Sequence, residues 1–203
     1  MLMKSRRALV LSALLLSAAP LPAMAQEASS WRTVPAERLL VVETSKGRVL
    51  VELFPDVAPA HVERVTTLAD QGFYDGHTFH RVIEGFMAQT GDVKFGKSGG
   101  ASFDPRRAGM GGSDKPNLKA EFSNMNHARG TCSMARAQDP NSANSQFFIM
   151  FDQGHFLNGQ YTVFGEVVSG MEFVDNIKKS DNPQTGAVVD PDRMVKVRIA
   201  ADG

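Results

Sequence analysis

Residues 79–92 of this 203-residue chain read FHRVIEGFMAQTGD, and the interpretation of the whole sequence depends on this stretch. It contains one arginine, Arg81, one glutamine, Gln89, and several large apolar side chains. Glu84-Gly85 separates two short extended runs and predicts a turn between them. A buried arginine beside an apolar surface is costly unless another group pairs with it or uses it. Taken alone, the stretch is typical of a strand with a solvated arginine, so the rest of the sequence has to decide.

The first 25 residues are typical of a secretory signal peptide. Lys4, Arg6 and Arg7 precede an apolar run of 12 residues from Ala8 to Ala19, and Ala23-Met24-Ala25 fits the A-x-A cleavage pattern. The apolar run is too short to span a bilayer, which needs about 20 residues. No cysteine lies near the cleavage site, which excludes a lipoprotein anchor. We therefore expect an exported protein, periplasmic or secreted, that is cleaved near Ala25.

The mature chain is predicted to be one domain. Residues 26–38 are polar and broken and predict a loose leader, and residues 39–203 fit a single domain with its own core. No basic run survives cleavage, so we expect no nucleic-acid partner, and we expect no membrane association and a monomer. The single cysteine, Cys132, cannot form an internal disulfide and is predicted to be a buried thiol without a catalytic role.

The remaining sequence predicts a mainly β protein with two helices. The runs Leu39–Thr44 and Arg48–Phe54 flank a short Gly-containing turn and predict a hairpin with Val49, Val51 and Leu53 on its inner face. Further strands are predicted at Cys132–Ala135, Gln146–Met150, Tyr161–Phe164 and around Val195, Val197 and Ile199. Helices are predicted at about Ala58–Gln71 and at Gly170–Lys179.

Residues 93–116 contain six glycines and two prolines and predict a long loop, which in a compact domain is usually functional or mobile. Apart from this loop, the mature chain is predicted to contain about eight short strands and two helices. No alternation of strands and helices along the sequence supports a parallel sheet. An antiparallel barrel or sandwich covered by the helices is the expected architecture.

Residues 91–98 match the phosphate-loop pattern G-x-x-x-x-G-K-S letter for letter. That chemistry needs a helix after the loop, so that backbone amides and the helix N-terminus face the phosphates. Here Ser98 is followed by Gly99-Gly100 and soon by Pro105, which do not start a helix. We interpret the match as chance.

Other candidate sites are weak. His77 and His80 are three residues apart, a spacing that points to opposite faces of a strand, so no metal site is predicted. A hydrolase remains a weak alternative, because the serines lack a G-x-S-x-G elbow and a convincing His/Asp partnership. The serines considered are Ser133, Ser142 and Ser145.

Several motifs together resemble the signature of cyclophilin-type peptidyl-prolyl isomerases. The segments are 79–81 (FHR), 85–89 (GFMAQ), 91–92 (GD), 121–122 (EF), 129–130 (RG), 133–135 (SMA), 144–149 (NSQFFI) and 163–165 (VFG). They run in the order of the family and cover roughly residues 39–199. The resemblance implies a closed eight-stranded antiparallel barrel capped by two α-helices.

The resemblance also implies an activity and a site. The chain is expected to isomerise X-Pro bonds in proline-containing peptides and in unfolded exported proteins, without a cofactor or a metal. Arg81 and Gln89 are the implied catalytic pair: Arg81 donates to the prolyl nitrogen, and Gln89 fixes the substrate backbone and orients Arg81. The implied substrate-binding residues are Phe86, Met87, Ala135, Arg136, Gln146, Phe148, Phe156, Leu157 and Tyr161.

Three positions depart from the common family pattern. Phe156 stands where members often carry Trp and Tyr161 where they carry His, a pairing that resembles the bacterial type. Because Phe156 has no indole donor, we expect weak cyclosporin binding with isomerase activity retained. Arg136 stands where Asn is common and would add a positive rim beside the groove. A non-catalytic peptide-binding module is the alternative function, and the presence of both Arg81 and Gln89 favours the enzyme.

Overall fold

The computed structural model describes residues 33–101 and 103–202. The predicted signal peptide, residues 1–25, lies outside the described residues, as does most of the predicted leader. Of the leader, residues 33–38 are described, and Ala36–Arg38 form one 3₁₀ turn that leads directly into the first strand.

The described chain forms an antiparallel sheet of eight strands with two α-helices. The strands are β1 Leu39–Thr44, β2 Arg48–Leu53, β3 Arg81–Ile83, β4 Met87–Thr90, β5 Thr131–Met134, β6 Phe147–Met150, β7 Val163–Ser169 and β8 Met194–Ile199. The helices are α1 Pro59–Asp70 and α2 Met171–Asp175. The strand order across the sheet is β3-β4-β6-β5-β7-β2-β1-β8. The mainly β class and the antiparallel pairing are therefore confirmed.

The inner face of the curved sheet carries the main core. Val49, Val51 and Leu53 of β2 are almost fully buried in it, as their alternation predicted. Leu50 points to the other face and joins a smaller apolar cluster with Leu39 and Val41. Cys132 is a fully buried free thiol, and burial raises the pKa of this thiol, which keeps it protonated.

Helix α1 begins at Pro59. Proline suits the first turn of a helix because a backbone N–H at that position has no acceptor within the helix, so nothing is lost by its absence. The helix buries Val62, Val65 and Leu68 against the sheet. The carboxylate of Glu121 caps its N-terminus, since it accepts the backbone N–H groups of Ala60 and His61 at 3.2 and 3.1 Å.

Helix α2 is shorter than the predicted Gly170–Lys179 segment. It ends at Asp175, after which the backbone N–H of Lys178 donates to the carboxylate of Asp192 at 2.8 Å. Neither helix of the described residues has the length and apolarity needed to cross a membrane.

The predicted closure of the barrel is wrong. β3 and β8 are the two edges of the sheet and do not pair as strands, so the eight strands form an open half-barrel. Isolated one-residue pairings, including Thr78 with Arg193, cross the gap. Pro105, Pro116 and the glycines between β4 and β5 keep that long segment free of further strands.

Two strand predictions also need correction. β7 covers Val163–Ser169 and not Tyr161–Phe164, because its pairing with β2 continues to Ser169 opposite Leu50. In β8 the predicted alternation fails at Val195, which is 50% exposed. A register shift leaves Val195 without a partner opposite β1, so this residue forms a bulge.

Candidate active site

The site begins with a row of side chains that crosses neighbouring strands. Arg81 of β3 lies directly opposite Gln89 of β4, and Gln89 lies opposite Phe148 of β6. Side chains at directly paired positions lie on one face of a sheet, so these three form a row on the outer surface of the half-barrel. Val82 and Ala88 point the other way and are fully buried in the core. The buried side chains of Val82 and Ala88 thus anchor the hairpin in the core, while the Arg81 side chain stays half-buried on the opposite face.

Most of the predicted site residues line one cavity of about 370 Å³. Its lining contains Arg81, Phe86, Met87, Gln89, Ala135, Arg136, Phe148, Phe156, Leu157 and Tyr161, and also Gln160, which the sequence did not indicate. Gln146 lies instead on the wall of an adjoining cavity of about 480 Å³. Gln89, Ala135 and Arg136 line both cavities and separate them.

The floor of the smaller cavity is an apolar slot. Met87, Phe148 and Leu157 are buried in a common cluster. The Tyr161 ring stands edge-on to the Phe148 ring, with 5.8 Å between their centroids. Phe156 is 65% exposed at the rim. The slot offers a concave apolar surface with polar groups along one side, as small ring-shaped ligands require.

The Arg81 guanidinium is held on two sides. Its Nε–H donates to the Thr185 carbonyl at 3.1 Å. Its Nη1 lies 3.5 Å from Oε1 of Gln89 and 3.7 Å from the Met87 sulfur. Partial burial lowers the pKa of Arg81 from its ordinary value, while the nearby Tyr161 opposes this shift. Among the described residues no carboxylate forms an ion pair with Arg81, so its charge faces the slot without a partner.

Gln89 connects Arg81 to the long loop between β4 and β5. Its Nε2 donates to Oε1 of Gln146 at 3.0 Å. The Nε2 of Gln146 in turn donates to the carbonyls of Gly109 and Gly111 at 2.9 and 2.7 Å. Because each amide both accepts and donates, the orientation of the two glutamines is fixed by the network.

Asp92 organises the same loop from inside. Its fully buried carboxylate accepts four backbone N–H groups, from Lys94, Phe95, Gly109 and Gly111, at 2.7–3.0 Å. Two of these amides belong to the segment 91–98 that matches the phosphate-loop pattern, and no helix follows it. An internal carboxylate already occupies amides that a phosphate would need, which agrees with the interpretation of that match as chance.

Arg136 was predicted to add a positive rim, and its side chain is more constrained than that prediction assumed. The guanidinium donates to the carbonyl of Gln160 at 3.0 and 3.1 Å and to that of Ala137 at 2.8 Å. It also lies over the Tyr161 ring, 4.5 Å from the centroid. Arg136 therefore ties the wall shared by the two cavities to the edge of the slot.

Comparison with known proteins decides the family. Residues 39–199 match the family model described as cyclophilin type peptidyl-prolyl cis-trans isomerase/CLD. The chain belongs to this family. It is a peptidyl-prolyl cis-trans isomerase, because the matched region spans the whole sheet, and its relatives carry the same activity in their names.

Two relatives show how far the similarity of this cyclophilin extends. It is 57% identical to a probable peptidyl-prolyl cis-trans isomerase of Brucella suis over 166 residues. The aligned region covers 82% of this chain and 84% of the relative. The chain is 34% identical over 158 residues to the peptidyl-prolyl cis-trans isomerase CYP23 of Arabidopsis thaliana, covering 78% and 68% of the two chains.

Solved cyclophilin structures share the fold. The cyclophilin AquaCyp293 of Hirschia baltica superposes with a TM-score of 0.70 at 26% identity, covering 84% of this chain and 76% of that one. A Cryptosporidium parvum cyclophilin-type isomerase, crystallised in the presence of the dipeptide Ala-Pro, gives a TM-score of 0.66 at 27% identity, covering 79% and 98%.

Beneath the slot of this cyclophilin lies a hydrogen-bonded triad that the sequence did not indicate, formed by Ser133, His127 and Asn158. The Ser133 hydroxyl lies 2.9 Å from Nε2 of His127, and the His127 Nδ1 lies 3.1 Å from Oδ1 of Asn158. The third group is the Asn158 amide and not an aspartate, so Ser133 has a histidine neighbour without the His/Asp partnership of a hydrolase. Both Ser133 and His127 are fully buried, so no substrate reaches them. The His127 ring stacks on Phe148 and lies edge-on to Tyr161, which assigns the triad a supporting position under the slot.

Proposed function

We propose that this isomerase accelerates rotation about X-Pro bonds by stabilising the twisted amide with Arg81, while the apolar slot holds the proline ring. A planar prolyl amide resists rotation by about 18–20 kcal/mol because of its resonance. Twisting removes the resonance and leaves a lone pair on the prolyl nitrogen. A donor aimed at this nitrogen acts in the twisted state and not in the planar one, which is the condition for a rate effect.

The observation that carries the proposal is the position of the Arg81 guanidinium at the edge of the slot. Nε and Nη1 are directed to Thr185, Gln89 and Met87, while Nη2 makes no hydrogen bond within the described residues. An arginine has five N–H donors in a rigid plane, so fixing two nitrogens also fixes the direction of the third. Nη2 is the nitrogen that we assign to the prolyl lone pair.

The energy required exceeds what one hydrogen bond supplies. A rate enhancement of about 10⁴–10⁵ corresponds to about 5.5–7 kcal/mol. A charged hydrogen bond contributes about 1.5–3 kcal/mol. The remainder is assigned to the slot, where Met87, Phe148 and Leu157 hold the ring and exclude water, and to Gln89, which positions the peptide.

We propose that the physiological substrates are exported proteins that are still folding. The basic, apolar and A-x-A segments of residues 1–25 support export. The Ala-Pro dipeptide used with the Cryptosporidium parvum protein supports proline-containing peptides as ligands. Expression of the full chain, followed by cell fractionation and determination of the mature N-terminus, tests the export proposal. A cytoplasmic protein that retains Met1 would contradict it.

The experiment for the catalytic proposal is an isomerisation assay on an X-Pro peptide with wild type and Arg81→Ala. The wild type should accelerate isomerisation, and Arg81→Ala should lose about 10- to 100-fold in kcat/KM, as loss of a charged hydrogen bond predicts. Arg48→Ala is the matched control, since Arg48 of β2 pairs with Glu43 of β1, away from the site. Peptide binding by the wild type without acceleration would favour the non-catalytic binding module instead.

A further inference from the structure

The turn formed by residues 182–188 lies along the free edge of β3. The Gly186 carbonyl accepts the Val82 N–H at 2.8 Å, and the Val188 N–H donates to the His80 carbonyl at 3.1 Å. Arg81 pairs with Ala187 in an isolated antiparallel bridge. β3 thus has β4 on one side and this turn on the other, where a continuous strand would have closed the barrel.

We propose that the turn 182–188 positions Arg81 for catalysis, with the Thr185 carbonyl setting the orientation of the guanidinium. The carbonyl accepts the Nε–H at 3.1 Å, on the side of the guanidinium away from its contact with Gln89. Without it, rotation about the end of the side chain would sweep Nη2 away from the slot. The inference rests on the proposed role of Arg81 and adds a residue from a segment that does not line the cavity.

The turn holds the Thr185 carbonyl through its own hydrogen bonds. The Asn182 carbonyl accepts the Gly186 N–H at 2.8 Å. The Asn182 side-chain oxygen accepts the N–H groups of Gln184 and Thr185 at 3.1 and 3.4 Å. The Ser180 hydroxyl oxygen lies 2.5 Å from the Ala187 carbonyl oxygen and 3.1 Å from that of Asn182. A carbonyl fixed locally in this way can impose an orientation on a flexible arginine, because the turn does not have to move with it.

Gly186 provides the closest test position. Its φ of +70° is in the left-handed region, and a Cβ added there would lie 2.7 Å from Cγ1 of Ile83 and 3.0 Å from Cγ of Arg81. Alanine therefore forces either the turn or the side chains of Ile83 and Arg81 to shift, and both displace the Thr185 carbonyl relative to the guanidinium. Gly72 is the matched control, since its φ is +69° and an added Cβ would meet no atom closer than the Asp75 Oδ2 at 3.6 Å. The two substitutions share the backbone strain, but only Gly186→Ala introduces close contacts with β3, at Ile83 and Arg81.

The kinetic test is a double-mutant cycle in the X-Pro peptide assay. Gly186→Ala should lower kcat/KM by about tenfold through kcat, with KM nearly unchanged, because misplacing a catalytic group removes transition-state stabilisation. Gly72→Ala should stay within about twofold of the wild type. In an Arg81→Ala background Gly186→Ala should cause no further loss. An equal loss in both backgrounds would overturn the proposal, since the turn would then act without Arg81.

A spectroscopic test reads the contact directly. In the folded wild type, the Arg81 Nε–H should show slow solvent exchange and a scalar coupling across the hydrogen bond to the Thr185 carbonyl carbon. Both should be lost in Gly186→Ala while the backbone amide spectrum elsewhere is retained. Absence of the coupling in the wild type would overturn the proposal, as would loss of the coupling with kcat/KM unchanged.

Asn182→Ala replaces Gly186→Ala as the test variant if Gly186→Ala does not fold. It removes the acceptor of the Gln184 and Thr185 N–H groups without adding a clash. It should lower kcat/KM and weaken the protection of the Arg81 Nε–H together. A loss of activity with that protection intact would contradict the proposal. Failure of the proposed role of Arg81 is recognised separately, by full activity of Arg81→Ala in the same assay.

Discussion

Gln89 and Gln146 join two parts of the site that are far apart in the sequence, through a side-chain hydrogen bond of 3.0 Å. On one side Gln89 lies within 3.5 Å of Arg81. On the other side Gln146 binds the carbonyls of Gly109 and Gly111 in the long loop. The loop between β4 and β5 is therefore connected to the arginine by two amides.

Gln146→Ala removes this connection and leaves the Gly109 and Gly111 carbonyls without their donor. We expect kcat/KM for an X-Pro peptide to fall about tenfold, because Gln89 loses its acceptor and Arg81 its support, a change equivalent to about 1.4 kcal/mol. Gln71→Ala, at an exposed position after α1, should leave kcat/KM unchanged. Full activity of Gln146→Ala would show that the connection has no catalytic effect.

Asp92→Asn tests the carboxylate that orders the loop. An amide at this position accepts with one oxygen and presents an NH₂ group to the remaining backbone donors. We expect a loss of about 2–4 kcal/mol in the free energy of unfolding, since hydrogen bonds to a buried charge are lost and donors are left unpaired. Urea denaturation measures it, with Asp114→Asn at an exposed position as the control. Equal stability of Asp92→Asn and the wild type would refute the assigned role of Asp92.

Stability should fall as the pH drops from about 6.5 towards 4. Burial lowers the pKa of His80 from 6.5 to about 4, and the nearby Asp92 opposes the shift only in part. The unfolded chain therefore binds a proton in this window that the folded chain does not, which costs up to about 3 kcal/mol. Burial also lowers the pKa of His77 and of His127, which adds to the effect in the same direction.

Urea unfolding of wild type and His80→Phe at several pH values checks this dependence. The decline of the unfolding free energy between pH 6.5 and 4 should be smaller in His80→Phe. Identical slopes for the two proteins would show that His80 does not carry the effect.

Phe156→Trp should strengthen cyclosporin binding by about three- to tenfold, as one added neutral hydrogen bond predicts. Phe156 is exposed at the rim and lies 5.5 Å from the Phe86 ring, so an indole fits there without disturbing the slot. Calorimetric titration measures the affinity, and kcat/KM should remain within about twofold of the wild type. Phe122→Trp, outside the cavity, is the control. No change in affinity for Phe156→Trp would contradict the expectation that the missing indole donor weakens cyclosporin binding.

Much of the geometry of the candidate site could be predicted because its residues lie in short contiguous motifs. Arg81, Gln89 and Phe148 fall at paired positions of adjacent strands, so correct motifs and antiparallel pairing were sufficient to bring them together. The Gln146 prediction was less precise, because its side chain turns towards the neighbouring cavity and the loop.

Other features that the sequence did not indicate depend on backbone contacts between distant segments, which carry no residue signature. The Thr185 carbonyl would bind Arg81 whatever its side chain, so spacing could not reveal it. The open edge at β3 follows from the turn 182–188, whose residues predicted neither a strand nor a site. The bulge at Val195 likewise reflects pairing with β1 and not the local alternation of apolar residues.

The role proposed for Arg81 is tested most directly by the isomerisation rate of a bound X-Pro peptide at saturation, obtained by NMR exchange spectroscopy for wild type and Arg81→Ala. If Arg81 acts on the twisted amide, the bound exchange rate should fall about 10- to 100-fold while the dissociation constant changes less than about threefold. A bound exchange rate in Arg81→Ala equal to that of the wild type would contradict the account.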